Sequence, residues 1–142
     1  MRIIDNFKLY LDNHDWTYDE GTFGDSPCVV VPFTIAETIT LRIIFVFMND
    51  GTNETIITMF IPNVAKISDP SKRDELLRLV NEVNSSYKFT RYMVTDDGEV
   101  RIQYDTLVES TFDVHNLMWV FANTLRALEN EELKKFMRLQ WS

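Results

Sequence analysis

Residues 75–107 read ELLRLVNEVNSSYKFTRYMVTDDGEVRIQYDTL, and their changing period decides the fold. Leu76, Leu77, Val80, Val83 and Asn84 recur at the three- and four-residue spacing of one helix face, so the stretch opens as an amphipathic helix. Asn84-Ser85-Ser86 breaks that period, because short polar side chains compete for backbone hydrogen bonds and favour turns. The helix is therefore expected to end near Ser86. Over residues 89–94 and again over 100–104 the period falls to two, the mark of strands. Asp96-Asp97-Gly98 lies between them, with the residue types that tolerate the positive φ of a tight hairpin.

Upstream of this helix, Asp69 is placed to cap its N-terminus. Pro70 takes the first helical position, where its missing N–H costs nothing. Further back, residues 38–48 and 54–61 form a second hairpin around Asn49-Asp50-Gly51-Thr52-Asn53, which Pro62 is expected to close. Residues 43–48, IIFVFM, do not alternate. A strand apolar on both sides belongs at the centre of a sheet, with helices or a partner subunit over its second face. Cys28-Val29-Val30-Val31 lies between Pro27 and Pro32, so this strand is expected at an edge. Residues 16–23 alternate weakly and can be a short frayed strand or a loop. Residues 3–14 place Ile3, Ile4, Phe7, Tyr10, Leu11 and His14 on one face, which predicts a first helix.

Downstream, Ser110 or Asp113 caps a third helix with the stripe Leu117, Phe121, Leu125 and Leu128. Residues 117–122, LMWVFA, are apolar in unbroken succession, more than one full turn, so both sides of this helix should be covered. Trp119 points away from the stripe, toward either the terminal segment or another subunit. Glu129, Glu131 and Glu132 open a last helical segment that closes on Lys134, Lys135 and Arg138, the charge order a helix dipole favours. Its apolar face is Leu133, Phe136, Met137 and Trp141.

The order is helix, three or four strands, helix, two strands, helix. This is an α+β domain with a largely antiparallel sheet flanked by helices, since its clearest pairs are hairpins. At 142 residues, with 45% hydrophobic and 13% aromatic content, the chain builds one core, a single domain over residues 1–142. The 22 acidic residues outnumber the 14 basic ones for a net charge of -8, which repels a phosphate backbone and disfavours nucleic acid. One cysteine cannot form an internal disulfide, and the N-terminus lacks the apolar core of a secretory signal, so a reducing cytoplasm is expected. The longest apolar run falls far short of the roughly 18 residues that cross a bilayer.

Few side chains suggest chemistry. His14 and His115 are the only histidines and belong to no zinc motif. Cys28 has no neighbouring base, and a thiol buried among β-branched residues is inert. No nucleophile elbow or phosphate-binding glycine loop is present. The two Asp-Gly stretches lack the terminal bidentate glutamate of a calcium loop and are better read as turns. No catalytic, cofactor or metal residues are therefore expected. Trp16, Trp119, Trp141, Tyr87, Tyr92 and Tyr104 could line a cleft but more often form core. The all-round apolar third helix, with the amphipathic tail, makes Met118, Trp119, Phe136, Met137 and Trp141 the candidate interface.

The helix closing on Val80-Asn81-Glu82-Val83-Asn84, the strand after it, the Asp96-Asp97-Gly98 turn and the returning strand resemble the YbjN-like family of small bacterial proteins. That resemblance implies a type III secretion chaperone-like fold. It also implies a non-catalytic protein that pairs into homodimers and binds another, unidentified protein in a chaperone-like or regulatory role. The alternative is an acidic inhibitor or immunity-type protein, whose net charge would steer a basic partner.

Overall fold

The computed structural model describes residues 2–51, 54–109 and 111–142. Among these residues six strands form one antiparallel sheet in the order β1-β2-β3-β4-β6-β5. They are β1 (Asp19–Phe23), β2 (Ser26–Ile35), β3 (Ile39–Phe47), β4 (Glu54–Lys66), β5 (Arg91–Val94) and β6 (Glu99–Glu109). The helices are α1 (Ile3–Asn13), α2 (Arg73–Asn84), α3 (Val114–Ala127) and α4 (Leu133–Gln140). The fold is α+β, and the segment left between strand and loop pairs as β1 along β2.

Register sorts the strand residues into two faces, since side chains alternate. Val29, Phe45, Met59 and Tyr104 lie opposite one another across four strands and belong to the row that meets the helices. Phe7 of α1 packs its ring 4.8 Å from Phe45 and 5.4 Å from Phe47. Phe121 of α3 lies 5.7 Å from Phe45 and 5.6 Å from Trp16. Ile3, Leu11, Leu76, Leu117 and Phe136 complete one core on this side.

The other face departs from expectation. β3 is central, as its unbroken apolar run requires, but no helix among the described residues lies over its second side. Val46 is covered there by Cys28, Val30 and Ile44. Phe60 sits close by between the Phe23 ring, 6.1 Å away, and the Arg101 guanidinium, 5.4 Å from its centroid. Neighbouring side chains on one pleated surface thus supply cover that was assigned to a second layer.

Two proline readings also change. β2 is not an edge over Cys28, Val29 and Val30, which pair with both β1 and β3. It becomes one only beyond Val30, where β1 has ended and Pro32 needs no partner on that side. Pro62 does not end β4; the strand bulges between Ile61 and Ala65 and resumes its pairing with β6. Asn63 takes φ +55 in the bulge, and its N–H donates to Glu99 Oε2 at 2.8 Å. A carboxylate on the neighbouring strand thus replaces the lost ladder bond.

The decisive stretch keeps the expected order of helix, strand, turn and strand, but α2 begins at Arg73 rather than at Pro70 and β5 at Arg91 rather than at Phe89. Asp69 accepts from Ser71 N at 2.9 Å, Pro70 begins a short 3-10 turn, and α2 follows. Gly98 has φ +86, and its carbonyl accepts from Ile67 N at 2.9 Å. Asp113 caps α3 through His115 N at 2.9 Å; Ser110, the other candidate cap, and Thr52 and Asn53 of the second hairpin lie outside the described residues.

Candidate protein-binding surface

The third and terminal helices are one run, joined by a π-turn over Leu128–Glu132. Because the wider turn holds one more residue, both Leu128 and Glu132 are buried there and the run re-aims its apolar face. Beyond it α4 packs on α2 and β4, burying Leu133, Phe136 and Leu139. Phe136 stacks on Tyr92 at 5.8 Å and 22°.

The terminal segment is therefore committed to the core beside α2 and does not cover Trp119. That indole remains 54% exposed. Its ring neighbour among the described residues comes from the loop before β5, where Phe89, itself 53% exposed, meets it edge-on at 6.5 Å. Phe89 also packs edge-on against Tyr104 at 6.1 Å.

Three hollows converge on Trp119. The largest, about 540 Å³, runs along α3 with Tyr10, Trp16, Phe33 and Phe121 on its walls. A second of about 440 Å³ lies toward Tyr104 and Phe112. A third of about 390 Å³ lies between Tyr87 and Asn130. An exposed indole standing as a ridge among apolar hollows has the shape that a partner surface fits, since tryptophan anchors often carry protein interfaces.

The five residues expected to form one interface are not brought together. Trp119 is on this ridge. Trp141 is 78% exposed at the far end of the helical run, and Met137 is half-buried. Met118 and Phe136 are buried within the chain itself, at 6% and 0% exposure, so they face its own core rather than a partner. Their sequence pattern was apolar at helical spacing, which does not distinguish an internal layer from an external one. Phe89 was missed because it was read as the first residue of a strand, whereas β5 begins at Arg91.

Below the ridge, Glu132 sits 2% exposed. Its Oε1 accepts from the Tyr87 hydroxyl at 3.1 Å and from Lys135 Nζ at 3.3 Å, while Oε2 is buried without a hydrogen-bond partner. Burial and the bond to Glu132 push the Tyr87 phenol up to about 12. The sequence placed Glu132 with Glu129 and Glu131 at the start of the last helical segment; in the structure it lies one helical turn after Leu128 and shares its buried side.

The side chains with potential chemistry are held apart. His14 stacks on Tyr10 at 4.0 Å, with its Nδ1 2.9 Å from the Tyr10 carbonyl, and His115 stands at the start of α3. Cys28 belongs to the apolar cluster on the opposite face of the sheet, where burial pushes its thiol up, so the sheet separates it from both histidines. Among the described residues no group of three or more His, Cys, Asp and Glu could hold a metal. Among the same residues no helix is long and apolar enough to cross a membrane.

A family described as "Putative bacterial sensory transduction regulator" matches over residues 4–130. The chain belongs to the YbjN family. A solved structure described as "YbjN, a putative transcription regulator from E. coli" is similar in fold, with a TM-score of 0.51 at 10% identity over 92% of this chain and 87% of that one. No curated protein matches the chain. Membership in the YbjN family agrees with the resemblance carried by Val80-Asn81, Val83-Asn84 and the Asp96-Asp97-Gly98 turn.

Proposed function

We propose that this chain is a bacterial regulatory protein of the cytoplasm that works by binding protein, without catalysis, and that it acts as a homodimer through the surface around Trp119. The observation that carries the reading is the 54% exposure of Trp119 amid three hollows. Covering a large side chain is worth about 1.5–3 kcal/mol, so an indole left on a ridge favours a partner. The description of the YbjN family as a regulator supports the same reading. A chaperone-like mode, in which the dimer shields a segment of another protein, belongs to this proposal. The net charge of -8 favours a protein partner over nucleic acid and would speed the approach of a basic one.

Light scattering on the wild type and on Trp119→Asp tests it, with circular dichroism to confirm folding. The expected result is a wild-type dimer and a folded, monomeric variant. A wild type that stays monomeric at high micromolar concentration refutes the homodimer. Turnover in a hydrolase screen that is lost in folded Cys28→Ala refutes the binding-module reading.

A further inference from the structure

Along one side of the third helix and into the π-turn that follows it, His115, Trp119, Ala122, Arg126 and Glu129 are all exposed and all line the same groove. Their spacing alternates four and three residues, the repeat along which two helices pack side by side. This stripe is polar in an ordered way: imidazole and indole occupy its N-terminal half, guanidinium and carboxylate its C-terminal half, and a methyl group its centre.

We propose that α3 pairs antiparallel with α3 of a second copy across a two-fold axis at Ala122. The proposal rests on the homodimer reading above and specifies its geometry. A two-fold interface requires a surface that complements itself. Reversed about Ala122, this stripe does so. His115 comes opposite Glu129 of the other copy, and Trp119 comes beside Arg126, whose guanidinium can lie over the indole face. Both contacts occur twice. Ala122 meets Ala122, and two small side chains let the helices approach closely where they cross.

A parallel pairing would instead set Arg126 against Arg126 and Glu129 against Glu129, like charges that oppose association. The groove supplies the rest of the fit. Each indole stands beside a hollow of about 540 Å³ walled by Tyr10, Trp16 and Phe33, so the ridge of one copy can enter the hollow of the other. Glu129 is already oriented, because its Oε2 accepts from Ala36 N at 2.9 Å.

The axis can be located by cross-linking. In a Cys28→Ala background, Ala122→Cys places two thiols across the axis within disulfide reach. Mild oxidation is expected to yield a linked dimer quickly, whereas Glu75→Cys on the exposed side of α2 is not. Arg126→Glu, which removes the cation from the indole and sets an acid there, is expected to weaken dimerisation about tenfold or more. A protein that is dimeric by light scattering but links no faster through position 122 than through position 75 overturns the antiparallel pairing and leaves the homodimer reading standing. A protein that is monomeric throughout overturns both.

Discussion

The side-chain amide of Asn84, at the end of α2, grips the backbone of Tyr92 in β5 from both sides. Asn84 Nδ2 donates to the Tyr92 carbonyl at 2.9 Å, and Tyr92 N donates to Asn84 Oδ1 at 2.7 Å. The amide thus copies the two-bond exchange of an antiparallel pair and fixes the helix end to a short strand whose ladder partner is β6. Tyr92 is 3% exposed, so water cannot readily replace either bond.

Asn84→Leu should therefore lower stability by about 2 kcal/mol or more, since it leaves a buried donor and acceptor unpaired. Asn81→Ala, on the exposed side of the same helix, should stay within about 0.5 kcal/mol of wild type. Urea unfolding of both variants checks the contrast, and equal midpoints would show that the amide clamp contributes nothing.

Gly98→Val is expected to cost at least about 1 kcal/mol, and more than backbone preference alone. At φ +86 a β-branched residue is strained, and a Cβ here would run into the Ile67 carbonyl. Thermal melts measure it. An unchanged Tm would mean that the turn has shifted away from the β4 segment.

Glu99 supports the β4 bulge from β6, and its charge makes that support sensitive to pH. The Arg101 hydrogen bond, together with the Asn63 N–H, holds the Glu99 carboxyl below its ordinary value of 4.5. A depressed folded value stabilises the fold above the ordinary value and is lost as pH falls through the depressed one. Wild type should thus lose stability relative to Glu99→Gln on acidification below about 4.5, and parallel acid melts would contradict this if the two curves kept a constant separation.

Tyr87 makes the opposite case. Its phenol is raised to about 12, so its contribution is intact below the ordinary value of 10.0 and fades as pH climbs from there toward about 12. The difference in alkaline absorbance titration between wild type and Tyr87→Phe should show one tyrosine ionising late. Tyr87→Phe should also cost about 1–3 kcal/mol at neutral pH by withdrawing a donor from buried Glu132.

How much of this was legible in the sequence differs by element. Asp69-Pro70, Asp113 and Asp96-Asp97-Gly98 act within a few residues of themselves, and local chemistry of that kind can be read directly. The β1 pairing, the bulge after Pro62 and the cover over Val46 depend on what a neighbouring strand presents, which no local period encodes. Trp119 and Phe136 illustrate the limit most clearly. Both lie in amphipathic helical stretches, but a π-turn between them redirects the chain, and one became core while the other stayed outside.

The most direct test of the account follows Trp119 itself. With Trp16→Phe and Trp141→Phe, Trp119 is the only indole left, and its emission can be followed from low to high micromolar protein alongside the mass from light scattering. A blue shift and weaker acrylamide quenching are expected as the mass doubles, with one midpoint for all three signals. An emission that stays at its water-exposed position while the mass doubles, or a mass that never doubles, would contradict it.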